Sequence, residues 1–311
     1  MASPWPAVSY EDWTETCDTL HAHTQVLGKL AVALASPEPE LQHAALRLTA
    51  RGWETNPLPA PDGSGVVVVV LDLRSHEAVV EHSDGRAARI ALTPHRSVGA
   101  VARDVLGAVG SLCGPVRIDP TPQEVPWDVP LDVDEVHARY GIDRVAAYFE
   151  AATQAALVLA EFRAPYRGRS TPVNAWWGSF DLATNLFSGM PAEPPSDDFI
   201  MRNAMDAQEV AVGWWPGDAR YPKAAFYAYA HPAPEGFSEA ALAPLRPGGT
   251  PRWASSSSTG TTSGVWTTRT QQRWRSPVRH SGTRVWCAHG TRRWRPAPRA
   301  LRHRSGSREA T

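Results

Sequence analysis

Along residues 12–34 apolar side chains recur at three- and four-residue steps. Trp13, Cys17, Leu20, Leu27, Ala31 and Leu34 line up as one stripe, which predicts an amphipathic helix ended by Pro37 and Pro39. The period then shortens. HAALRLTARG alternates, with Leu46 and Leu48 on one face, and GVVVVVLDL is a continuous β-branched run suited to a sheet covered on both faces. EAVVEHSDGRAARIAL reads as a hairpin turned by Ser83, Asp84 and Gly85. Ser97 is placed to cap a second helix running through Leu112, and a short strand, PVRI, is expected after it.

TPQEVPWDVP, residues 121–130, reads as a proline-spaced connector. Helical periodicity returns over residues 132–162, with Val145, Phe149, Ala152, Ala156 and Leu159 as the buried stripe and Gly141 as an early interruption. Beyond Pro165 the chain turns aromatic and loop-rich, through STPVNAWWGSFDL, EVAVGWWPG and KAAFYAYAHP. The last two read as strands, Phe226, Ala228 and Ala230 alternating with Tyr227 and Tyr229. Helices packed on mainly antiparallel sheets make an α+β fold. Three divisions are expected: an α+β subdomain over residues 1–120, a helix with an aromatic-rich β subdomain over 121–247, and a disordered tail over 248–311.

Charge sharpens that last boundary. The formal net charge of −1 averages two unlike parts. Residues 248–311 hold thirteen arginines, no lysine and one acid, Glu309, which leaves 18 basic against 31 acidic residues in 1–247. The tail has one leucine, Leu301, and too few aliphatic side chains to offset the entropy of ordering. A basic tail with tryptophans would fit nucleic acid through phosphate contacts and stacking. The favoured reading is translation out of frame from GC-rich DNA. Starting at the third base of the Trp253 codon, G- or C-ending codons can spell GELVLHRDDVRGVDDPDAAALA, which has a strand-like start and an acidic helix start. A nucleic-acid partner is therefore not expected.

Three scattered cysteines, Cys17, Cys113 and Cys287, argue against a disulfide framework and fit a reducing cytoplasm. The N-terminus has neither the basic start nor the apolar stretch of a secretory signal, and no apolar run reaches the ~18 residues of a membrane span, so no membrane role is expected.

Candidate chemistry begins on the first helix, where His21, Gln25 and Lys29 stand four residues apart beside the apolar stripe. This polar row reads either as one wall of a pocket or as a solvated face. Arg51 ends a strand, where side chains often reach a ligand. Trp176-Trp177-Gly178-Ser179-Phe180-Asp181 and Trp214-Trp215-Pro216-Gly217 supply paired tryptophans for an aromatic wall or a core corner. Asp181 and Glu209, with His21, are candidate catalytic groups for a hydrolase or transferase. Gln25, Lys29, Arg51, Trp177, Trp215, Tyr227 and Tyr229 are candidate ligand-binding residues. No histidine spacing suits a metal, and no cofactor motif is present. The leading expectation is a cytoplasmic protein with an aromatic-lined pocket for a small polar ligand. An enzyme using Asp181 and Glu209, or a structural protein with these aromatics in its core, are the alternatives.

Several segments resemble a bacterial family catalogued as domain of unknown function 5996. They are YEDWTETCDTLHAHTQVLGKL, TARG, SDGR followed by PHRSV, EFRAPYRGRSTPVNAWWGSFDLATNLFSG, and EVAVGWWPG through FYAYAHPAPEGF, together covering about residues 5–237. The resemblance implies no activity. It implies a histidine where this chain has Asn174, arginines at Leu186 and Met190, and a histidine at Gln208, so chemistry resting on those four positions is not expected here. It also implies an acidic strand-turn-helix segment beyond Pro247, of the kind the shifted reading of the tail offers.

Overall fold

The computed structural model describes residues 8–234, Phe237 and the backbone of 263–267. Its architecture is α+β, with two antiparallel sheets and packed helices.

Helix α1, Thr14–Leu34, is buried from Thr19 through Ala31 without a break. It carries the expected apolar stripe, but protein covers its polar side as well. The first sheet holds β1 (Arg47–Leu48), β2 (Gly52–Glu54), β3 (Leu58–Pro59), β4 (Val66–Asp72), β5 (Glu77–His82) and β6 (Ala87–Ala91), in the order β1-β2-β4-β5-β6 with β3 also paired to β4. The valine run lies in its middle as β4, where Val67, Val69 and Val70 have no exposed surface. Gly85, at a φ of 92°, turns the β5–β6 hairpin in a conformation that favours glycine. Helix α2, Val98–Cys113, starts as read: the Ser97 hydroxyl accepts from the Ala100 N–H at 3.2 Å.

Helix α3, Ile142–Arg163, packs on the second sheet, formed by β7 (Asn174–Trp176), β8 (Asp181–Pro191), β9 (Ala207–Trp215), β10 (Ala225–His231) and β11 (Ser263–Thr267), in the order β11-β10-β9-β8-β7. A six-residue helix, α4, Phe199–Ala204, lies between β8 and β9. Leu46 and Ala175 bridge the two sheets, and one hydrophobic cluster runs through both. By length and composition α3 could cross a membrane, yet its Val145, Tyr148, Ala152, Ala155 and Leu159 are buried in that cluster.

Three expectations change. Residues 132–141 are not helical. Asp134 accepts from the Val136 and His137 N–H groups, and the Asp134 and His137 carbonyls accept from Gly99 and Val98 at the start of α2. A side chain that bonds its own backbone competes with helix formation, and here the freed carbonyls serve another helix end. PVRI forms no strand. The region after Pro165, read as loop-rich, contains the eleven-residue β8. Leu182 through Phe187 are all buried, so no alternation marked the strand. Of the tail, only Ser263–Thr267 are described, paired antiparallel with β10; the expectation of disorder otherwise falls on residues outside those described.

Candidate functional site

The polar row of α1 faces the connector. Lys29 Nζ lies 3.8 Å from Asp119, Gln25 bonds Gln123, and the His21 ring meets Trp127 edge-on at 5.3 Å. The three contacts run in opposite chain directions, each four residues from the next. At Gln25 the amide donates to the Gln123 carbonyl and accepts from the Gln123 N–H, both at 2.9 Å, as one peptide group pairs with another. The row is thus a buried seam that seats the connector, neither a solvated face nor an open wall.

The seam also fixes the β7–β8 turn. His21 Nε2 lies 2.9 Å from both the Trp177 and Gly178 carbonyls. Carbonyl oxygens only accept, so Nε2 carries the proton. Burial holds the His21 pKa down to about 4, which keeps the ring neutral. Phe180, in the turn, has a φ of 56°, a left-handed conformation a non-glycine residue rarely takes. Packing holds it there: its ring stacks on His21, Trp53 and Tyr148 at 4.9, 5.3 and 5.1 Å. Trp177 is core, 1% exposed. Its indole N–H donates to the Ala44 carbonyl, Lys29 Nζ lies 5.6 Å from its ring, and Gly28 leaves it room on α1.

This turn delivers Asp181 to one face of the second sheet. Strand register puts Asp181, Ala183, Asn185 and Phe187 of β8 on the same face as Glu209, Ala211, Gly213 and Trp215 of β9 and Tyr227, Tyr229 and His231 of β10. Two carboxyl–phenol pairs stand there. Tyr227 donates to Asp181, and Tyr229 donates to Glu209 at 3.0 Å, the two phenol rings being stacked 6.2 Å apart and nearly parallel. Ser179 Oγ, on an exposed residue, donates to the other Asp181 oxygen at 2.5 Å, and the Asn185 amide donates to the other Glu209 oxygen at 2.7 Å. Asn185 Oδ1 is buried without a partner among the described residues. Trp215 stands against Tyr227 at 6.0 Å, both partly exposed.

Asp181 and Glu209 are 3% and 5% exposed, and no cation pairs with either among the described residues. Loss of water raises the Asp181 pKa to about 6, against the lowering hydrogen bonds from Ser179 and Tyr227. The same cause raises Glu209 to about 7 against Asn185 and Tyr229.

Sequence reasoning missed Glu124, which it left inside a connector. Its carboxylate occupies the space a Cβ on Gly178 would fill, and its pKa is raised to about 8 by desolvation first, then by Asp181 and Asp198. Glu124 as a residue is nonetheless exposed, so solvent screens part of that rise. The proline spacing hid it, because nothing in TPQEVPWDVP says that the connector folds back.

Arg51 lies elsewhere, in a two-pronged pair with Glu81 at 3.0 and 3.3 Å on the first sheet. Of the four positions at variance with the resemblance, Asn174 is fully buried between Arg47 and Gln42, and Leu186 is in the core. Met190 is 58% exposed, and Gln208 accepts from Ser188.

No curated protein and no solved structure matches the chain. A family of unknown function, DUF5996, matches it over residues 5–254, ending close to Gly248, where the composition changes. The chain belongs to that family.

Proposed function

We propose that the protein binds a small polar molecule bearing a cationic group at the carboxyl–phenol face of the second sheet. The observation that carries this is the pair of buried carboxyls, Asp181 and Glu209, each held by a tyrosine and neither paired with a cation among the described residues. A buried carboxylate is costly unless something compensates its charge, and an ammonium group arriving between the two would do so. The open acceptor on Asn185 supports the same reading, since it offers a further position to a donor. Trp215, Tyr227 and Tyr229 would form the aromatic wall, on which a cation is also stabilised. A reducing compartment such as the cytoplasm fits the free, buried thiols of Cys17 and Cys113 and belongs to this proposal.

The raised carboxyl pKa values favour a second reading, an enzyme of hydrolase or transferase type in which Asp181 and Glu209 move protons near neutral pH. His21 would then position the turn, because its Nε2 proton is committed to two carbonyls.

Native mass spectrometry of the purified chain, followed by melting curves with a panel of small amines and polyols, tests the proposal. An amine should raise the melting temperature, and Asp181→Asn with Glu209→Gln should abolish that rise. A panel that shifts nothing, or shifts the double variant equally, would show the two pairs to be purely structural.

A further inference from the structure

A second site lies away from these carboxyls. Residues 35–47, 56–59 and 169–172 enclose a cleft of about 490 Å³ together with Phe187. Arg47 reaches it from β1, half-buried. Its Nε donates to Asn56 Oδ1 at 3.2 Å and its Nη1 to Asn174 Oδ1. Both partners are neutral amides. No carboxylate lies within ion-pair distance of Arg47 among the described residues, and Glu38, exposed at the rim, acts on it from farther off. Arg169, opposite, differs: Glu40 grips it in a two-pronged pair, and it lies over the Phe187 ring at 4.6 Å. Arg47 therefore brings an unmatched positive charge to the cleft, with N–H donors to spare.

His43 adds a directed donor. Its Nδ1 accepts from the Glu38 N–H at 3.0 Å, so the neutral ring carries its proton on Nε2, which has no partner among the described residues. Pro57, Pro59, Pro172 and Phe187 add apolar patches, beside the polar Ser36, Gln42, Ser170 and Thr171. A volume of this size is that of an organic ligand site, and an inorganic anion would leave most of it to water.

We propose that this cleft binds a small organic acid, its carboxylate held by Arg47 and the His43 Nε2–H and its apolar body lying against Phe187 and the prolines. A planar carboxylate matches the planar guanidinium and supplies the counter-charge the protein omits.

The test uses the full chain and three probes: phenylacetate, phenethylamine, which has a similar body and the opposite charge, and inorganic phosphate. In titration calorimetry and saturation-transfer NMR, compared in the Asp181→Asn, Glu209→Gln background so that amine binding at the carboxyl–phenol face does not enter, phenylacetate should bind at least about tenfold more tightly than phenethylamine. Arg47→Gln should weaken phenylacetate binding by at least about tenfold. Asn56→Asp should do the same by placing a carboxylate against the guanidinium, and it keeps the test open if Arg47→Gln fails to fold. Asp181→Asn should leave phenylacetate binding unchanged, which separates this site from the carboxyl–phenol face. Equal binding of the two aromatic probes, binding undiminished in folded Asn56→Asp, no binding of phenylacetate at millimolar concentration, or a response to phosphate alone would each overturn the proposal.

Discussion

Gln25 of the first helix and Gln123 of the connector, 98 residues apart, close a ring of two hydrogen bonds in which a side-chain amide takes the place of a peptide group. Gln25 has no exposed surface, so both groups of its amide depend on this partner.

Gln25→Ala should therefore cost about 2–3 kcal/mol, two hydrogen bonds at about 1 kcal/mol each plus part of the penalty for the groups left unpaired. Gln25→Glu makes a sharper test. Protonated, its carboxyl can still donate to and accept from Gln123; ionised, it sets a charged oxygen against the Gln123 carbonyl. That carboxyl is held protonated by folding, so its contribution is present at low pH and lost as pH rises. Urea melts at pH 5 and pH 8 should show the gap between Gln25→Glu and the parent chain widening with pH. A pH-independent gap would mean that the ring does not form.

Gly28→Ala should destabilise the chain although it improves helix propensity. The propensity gain is at most about 1 kcal/mol. A methyl group there enters the space of the Trp177 indole, which is fixed by its bond to Ala44, and overpacking of that kind costs about 1–3 kcal/mol or more. A net loss of about 1–2 kcal/mol in chemical denaturation is expected. A stabilised variant would place Trp177 elsewhere.

Phe180 reverses an ordinary ranking. Phe180→Ala should cost about 3–5 kcal/mol through loss of the stack with His21, Trp53 and Tyr148. Phe180→Gly loses the same stack but relieves the φ of 56°, so it should be the more stable of the two by about 0.5–1 kcal/mol. Paired melting curves decide this; alanine ranking above glycine would sink it.

The pH dependence of the parent chain follows from groups pulling in opposite directions. Folding raises Asp181, Glu209 and Glu124 to about 6, 7 and 8, whereas the unfolded chain releases those protons near pH 4. The folded chain holds more protons over that window, so stability falls as pH rises through it. His21 and His23, both lowered to about 4, act the other way: the unfolded chain takes up protons below about 6.5 that the folded one refuses. At pH 6.5 the unfolded histidines are still half protonated, so their effect fades over about the next pH unit and the carboxyl decline outweighs it above that. The melting temperature should drop between pH 6.5 and 8.5, less steeply in Glu209→Gln. An unchanged slope in that variant would mean that Glu209 is not among the titrating groups.

By itself the sequence determined the elements that bury one side or sit between turns with clear chemistry. The α1 stripe, the Ser97 cap, the Gly85 hairpin and the strand alternation at Tyr227 and Tyr229 were all legible, because local periodicity reports one-sided burial directly. It also marked Asp181, Glu209 and both tyrosines as worth attention, though not as two parallel pairs. Tertiary structure decided everything that rests on burial from both sides or on partners distant along the chain. Protein covers α1 all round, so its row of His21, Gln25 and Lys29 read as either a pocket wall or a solvated face until the connector was seen against it. Strand β8 showed no period because neither of its faces is wet over Leu182–Phe187. Arg47 looked like any strand arginine. Only folding, by giving it two amides and no carboxylate partner among the described residues, left its charge unmatched beside a cleft.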